Sequence, residues 1–213
     1  MPQFGLRQRT LVRVSSILFF VAGLSTALVL GDASQLPTAQ AQAAYTSSAS
    51  STSIWGSASF PVENFQTYTS PFGYRSSPYG GSSEEFHSGL DMAAPQGSYI
   101  RNWWTGQVVE VSDDSNCGTS VVVVQSGGWE HIYCHMMGHV EVAGGQRYLV
   151  DREGGIQIQE GQGLPTGARI GRVGMTGRTT GPHLHWGLRY NSEWIDPAVV
   201  LRAMYSAQQV SQR

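Results

Sequence analysis

The 213-residue chain contains no lysine; all 13 of its basic residues are arginine. That absence removes a phosphate-loop lysine, a Schiff-base lysine and a Ser-Lys dyad from consideration. Charge is scarce as well, at 13% of residues, and the 13 arginines face 15 acidic residues without forming a basic block. Nucleic-acid binding therefore has no electrostatic footprint here. The HExxH helix motif, the CxxC pair and the GxSxG elbow are all missing. Glycine is plentiful instead, with 26 residues. Together with the low charge it points to a turn-rich β protein, long enough for one hydrophobic core.

The chain has one long apolar run, "SSILFFVAGLSTALVL", 16 residues that follow Arg7, Arg9 and Arg13. Small-x-small sites at Ala39-Gln40-Ala41 and Ala41-Gln42-Ala43 come next. This is the layout of a secretory signal peptide over residues 1–43. The run is shorter than the ~20 residues of a spanning helix, and an uncleaved membrane anchor is the alternative. Either way the chain is expected to be exported, to the periplasm or to the cell wall and beyond. Residues 44–59, rich in Ser, Thr and Ala, read as a linker, 60–205 as the folded domain and 206–213 as a tail.

Within the domain, "GQVVEVS" and "TSVVVVQ" are strands by their β-branched density. Gly127-Gly128 then turns the chain into "WEHIYCHM" as an antiparallel hairpin. The glycine-punctuated "IQIQEGQGLPTGARIGRVG" reads as more short strands with tight turns. Only "DPAVVLRAMYSAQQV" has helical spacing, with Pro197 in the first turn. An all-β fold with a short C-terminal helix is expected. Export would allow Cys117 and Cys134 to pair, closing a loop worth about 3 kcal/mol. A two-residue turn at 127–128 would set Cys134 against Val121 instead, so the pairing stays open.

The six histidines carry the chemical signal. In "GPHLHW", His183 and His185 are two apart, so on a strand both imidazoles look the same way. His87 and Asp91 in "HSGLD" are four apart, about 13 Å in an extended strand. Two donors on one zinc sit only about 3.3 Å apart, so the segment must curl if both bind one ion. Gly89 is the residue that permits the curl. In "HIYCHMMGH", His131, Tyr133 and His135 share a strand face and His139 falls in a loop beyond Gly138. His131 and His139 read as ordinary structural or solvated histidines. A catalytic zinc keeps three protein ligands and an open position, with further histidines to move protons. His87, Asp91, His135, His183 and His185 suffice for both sets, and spacing alone does not say which of His183 and His185 binds metal. Cys117 with His139 faintly resembles the NlpC/P60-type cysteine peptidases, but valines after Cys117 read as strand where that family has a helix.

Taken in order, "SPFGYRSSPYG", "HSGLD", "YCHM" and "GPHLHWGLR" resemble the lysostaphin-like, LytM-type zinc metallopeptidases from about Thr69 to Leu201. The resemblance implies a two-sheet antiparallel β fold, a duplicated hybrid motif, with a groove over zinc. It implies that His87, Asp91 and His185 bind Zn2+ and that His135 and His183 act on the substrate. The implied substrate is peptidoglycan, hydrolysed in its peptide cross-links. Trp103, Trp104, Trp129 and Trp186 are candidate groove walls, although aromatic residues in strands are more often core. The stretch from His139 to Ile158 is longer than the family's usual connection and is expected to form an extra hairpin beside the site. The competing reading is a non-catalytic LytM-like module that binds or activates other cell-wall hydrolases. Such modules typically lose zinc or proton-transfer residues, and here all five are present.

Overall fold

Runs of β-branched residues and frequent glycine turns give a chain built from short antiparallel strands. The computed structural model describes residues 54–80 and 82–211. The expected signal segment, and the expected linker as far as residue 53, lie outside them. The fold begins before residue 60: Ile54–Ser57 form a short 3-10 helix, Ala58 is buried, and Ser59 N–H donates to the Trp103 carbonyl at 2.8 Å.

The first half of the chain contributes β1 (Thr67–Ser70), β2 (Gly73–Ser76), β3 (Glu84–His87), β4 (Gly89–Ala93), β5 (Tyr99–Arg101) and β6 (Gly106–Ser112). Next come β7 (Ser120–Gln125), β8 (Trp129–Cys134), β9 (His139–Ala143), β10 (Gln146–Asp151) and β11 (Ile156–Gln159). The series ends with β12 (Gly163–Leu164), β13 (Arg169–Arg172), β14 (His183–Tyr190), β15 (Glu193–Ile195) and the helix α1 (Pro197–Ser211). Eight strands form one sheet in the order β1-β4-β14-β8-β7-β6-β12, with β15 paired to β14. Smaller sheets are β11-β10-β9, β13-β5 and β2-β3, and every pairing is antiparallel. The all-β class with a C-terminal helix is thus the observed one.

Strand alternation decides what each face of the large sheet does. On β14, Leu184, Trp186 and Leu188 are fully buried, while His183 and His185 retain some exposure. Met92 of β4 and Val121 and Val123 of β7 join the same core. Each such large side chain contributes on the order of 1.5–3 kcal/mol by leaving water. Tyr133 is buried among them, its hydroxyl accepting Trp103 N–H at 2.8 Å and donating to Asn102 Oδ1 at 3.3 Å. Helix α1 starts at Pro197, where a missing N–H costs nothing, and Asp196 Oδ1 accepts the Ala198 N–H at 2.9 Å. It packs Val200, Leu201 and Met204 into the core.

The β7–β8 hairpin differs from expectation by one residue. Gln125 pairs with Trp129, so the loop is Ser126-Gly127-Gly128, with Gly128 at φ 85°. Three-residue loops of this kind end in a left-handed residue, which glycine adopts without strain. The shift pairs Val121 with Tyr133 rather than with Cys134. Cys134 lies one residue past the last β7–β8 pair and bonds Cys117 in a disulfide, with Cα atoms 4.9 Å apart. The stretch after His139 does form an extra hairpin, β9–β10, extended by β11. His139 itself is the exposed first residue of β9 rather than a loop residue, held by Glu141 at 2.8 Å.

Candidate metal centre and groove

β4 and β14 lie side by side with His185 directly opposite Asp91. Their alternate residues enter the core, which leaves Asp91, His183 and His185 on the opposite face. His87, at the end of β3, reaches the same point because the chain leaves strand geometry at Ser88 between β3 and β4. Its Nε2 lies 3.0 Å from Asp91 Oδ1 and 2.9 Å from His185 Nδ1, and the third side, His185 Nδ1 to Asp91 Oδ1, is 2.9 Å. Gly89 makes room rather than a curl. Its φ is not positive, and a Cβ there would sit 2.7 Å from the His185 ring.

This triangle suits a divalent cation. His87 Nδ1–H donates to the Pro71 carbonyl at 2.7 Å, which turns the Nε2 lone pair inward. Burial would raise the Asp91 carboxyl, but its contacts with the ring nitrogens of His183, His185 and His87 outweigh it and hold the group well below the usual carboxylate range. Burial likewise pushes His185 below its ordinary value, toward the neutral form a metal needs. One carboxylate and two imidazoles, with donors 2.9–3.0 Å apart, match the ~3.3 Å spacing of zinc ligands. Three protein donors leave a coordination position for water or substrate.

Two further imidazoles complete the face. His183 Nδ1–H donates to the Gly181 carbonyl at 2.9 Å, and its Nε2 points back to Asp91 Oδ1 at 3.5 Å. Burial acts to lower His183, but the hydrogen bond to Asp91 prevails and raises it. His135 arrives by a different route. By strand parity it belongs with His131 and Tyr133, which point into the core. Its backbone instead adopts φ 60°, a left-handed conformation uncommon outside glycine, and this swings the ring onto the groove face. The three therefore do not share a face. His135 N–H donates to the Cys117 carbonyl at 2.8 Å, and its own carbonyl accepts Gly174 N–H at 2.9 Å. Its Nδ1–H donates to the Thr176 carbonyl, also at 2.9 Å. The His135 and His183 ring centroids are 4.8 Å apart. Burial lowers His135 to about 4.

The Cys117–Cys134 bond closes this arrangement from below. Cys134 precedes the left-handed residue, and Cys117 supplies the carbonyl that its N–H binds. The 115–119 loop is tied in turn to the 174–178 loop, through Thr119 N–H to Thr176 Oγ1 at 2.8 Å and Arg178 N–H to the Asn116 carbonyl at 2.8 Å. With both cysteines in the disulfide, neither offers a thiolate for peptidase chemistry.

A groove of about 540 Å³ opens over these residues. None of the four tryptophans proposed for its walls lines it. Trp103 and Trp186 are fully buried, Trp129 is buried, and Trp104 packs against the core. Trp194 and Tyr79 line it instead, with Arg75, Glu85 and Arg178. No periodicity marks these five in the sequence; Arg75 and Tyr79 lay within the quoted "SPFGYRSSPYG", without a role of their own. No residue of the β9–β10 hairpin lines the groove.

Comparison with known proteins places this geometry. The sequence model described as Peptidase family M23 matches residues 85–152 and 147–197, just over half of the chain. The DD-carboxypeptidase/endopeptidase Mpg of Neisseria meningitidis serogroup B is 33% identical over 132 residues, covering 62% of this chain and 26% of that protein. The peptidoglycan DD-endopeptidase ShyA of Vibrio cholerae is 31% identical over 102 residues, covering 48% and 20%. The chain thus spans about a quarter or less of the length of these relatives. A zinc containing peptidase from Vibrio cholerae superposes with a TM-score of 0.50 at 26% identity, over 68% of this chain and 38% of that one.

Proposed function

The chain belongs to peptidase family M23, and from that premise we propose that it is an exported zinc endopeptidase that hydrolyses peptide cross-links of peptidoglycan. One observation carries the reading. An ionised carboxylate and two inward-facing imidazole nitrogens converge within 3.0 Å, and two more anchored histidines face the same groove. His87, Asp91 and His185 would hold zinc, which when bound supplies Lewis acidity toward the scissile carbonyl and toward water.

The remaining steps belong to the protein. His135 and His183 each have Nδ1–H fixed on a backbone carbonyl; Nε2 of His135 is turned to the groove, and Nε2 of His183 lies at the edge of the donor triangle, 3.5 Å from Asp91 Oδ1. There they take a proton from the attacking water, return it to the leaving amine and hydrogen-bond the developing oxyanion. Anchoring two imidazoles in advance removes the reorientation that would otherwise add to the barrier. The groove's open form suits an extended peptide. Export is supported by the basic-then-apolar N-terminus with its small-residue sites, and by a disulfide of the kind that persists in oxidising compartments. Retention of all five residues argues against the non-catalytic alternative.

The test is mass spectrometry of soluble products from purified peptidoglycan incubated with the full-length protein. A His183→Ala variant and a chelator-treated sample run beside it. Conversion of cross-linked dimers to monomers, stopped by both controls, is the expected result. Absence of release from several wall types by a zinc-loaded protein overturns the reading in favour of a binding module.

A further inference from the structure

Beyond residue 43 the chain carries 10 arginines against 14 acidic residues, whereas the groove wall carries two of each. Arg75, Glu85 and Arg178 line it alongside Asp91. Asp91 faces the three histidines through Oδ1 and Arg75 through Oδ2, so Arg178 is left with Glu85, which it shares with Arg75. Arg75 occupies the inner position. It hydrogen-bonds Ser70 Oγ and lies 3.4 Å from Glu85 Oε1 and 3.8 Å from Asp91 Oδ2, so acidic groups flank it on both sides.

Arg178 is differently placed. Both of its terminal nitrogens meet a single oxygen, Glu85 Oε2, at 3.2 Å. That is a long contact to one atom, not the pair of parallel bonds that a guanidinium forms with a carboxylate. The side chain keeps 45% of its exposure. Its plane is fixed from one side by the Tyr79 ring, 4.2 Å from the guanidinium carbon to the centroid, and its backbone N–H is tied to Asn116. An aromatic platform and an anchored backbone hold the cation without neutralising it. Arg178 also stands on the loop that leads into His183, with Thr179 and Thr180 of the same loop lining the groove.

We infer that Arg178 is a specificity subsite for a carboxylate on the substrate residue beside the scissile bond. Such a group gives Arg178 the pair of parallel bonds that Glu85, shared with Arg75, does not provide. A cross-link through a diamino acid with a free carboxyl is then preferred, and a neutral glycine bridge is a poor substrate. This inference rests on the endopeptidase reading above, and its test separates the two.

Two cross-linked peptides are compared, identical except that the carboxyl of the diamino acid is free or amidated. The readout is the ratio of kcat/KM for free over amidated substrate, in the parent, Arg178→Gln and Arg178→Lys proteins. Charge-assisted hydrogen bonds of this type give the parent a ratio on the order of tenfold to hundredfold. Arg178→Gln brings the ratio near one, chiefly through KM, and Arg178→Lys restores part of it. A parent ratio near one overturns the inference, and so does a variant that slows both peptides equally. If neither peptide is cut, the endopeptidase reading fails and calorimetric binding of the same pair decides the subsite. Tighter binding of the free carboxylate that Arg178→Gln abolishes upholds it, and equal binding of the two peptides overturns it.

Discussion

His131 and His135 are four residues apart and both are shielded from water, yet they inhabit different chemistry. His131 is fully buried on the core face of β8, its ring 4.8 Å from that of Trp103, and neither ring nitrogen has a hydrogen-bond partner. Burial drives it down to about 3, so it stays neutral and inert. His135 has its Nδ1–H fixed on a carbonyl and its Nε2 turned to the groove. Burial alone therefore does not make a working histidine. What separates the pair is one anchored nitrogen and one backbone angle.

That contrast can be broken from several directions. Replacing Asp91 by Ala removes the anionic member of the donor triangle, and loss of bound zinc by metal analysis together with loss of all cleavage is expected. His135→Ala leaves the triangle intact, so zinc content should hold while turnover falls by about 10²–10⁴-fold. Replacing Cys117 and Cys134 together by Ser should lower stability by about 3 kcal/mol in denaturant titration. If the disulfide also holds His135 in its left-handed backbone, kcat falls while zinc affinity does not. Equal loss of both would mean that the bond serves stability alone.

The smallest effect is on the core side. His131→Leu removes two unpartnered buried nitrogens and should stabilise the protein by roughly 1–2 kcal/mol. Its pH dependence is specific. A histidine lowered from 6.5 to about 3 leaves the unfolded chain holding the extra proton between those values. Stability is full above pH 6.5 and falls by up to about 1.4 kcal/mol per pH unit as the pH drops toward 3. The Leu variant should lose that part of the slope. An unchanged slope would show that His131 does not titrate on unfolding.

Much of this was legible in the residues. Valine runs gave β6 and β7, Pro197 marked the start of α1, and the spacings of HSGLD, YCHM and GPHLHW named the five groove residues now seen together. What escaped the sequence depended on single local choices. A hairpin loop of three residues rather than two shifts the register by one, which takes Cys134 off Val121, and its partner Cys117 comes from the loop before β7. Period-two counting assigns His135 to the core, because it has no means of registering one left-handed residue. The four candidate tryptophans went the way strand aromatics more often do, into or against the core, and only the sheet's sidedness separates Trp194 from Trp186. Arg178, five residues before His183, had no role in the sequence reading, since a guanidinium's worth lies in which carboxylates it must share.

The reversed backbone at His135 has a practical consequence for transplanting this groove. Copying Tyr133, Cys134 and His135 onto an ordinary strand of another scaffold would send the final imidazole inward, beside its tyrosine. The portable unit is larger. It comprises the strand end, the 115–119 loop that receives its amide and the 174–178 loop whose Thr176 carbonyl holds the ring, three pieces far apart in the chain that must travel as one.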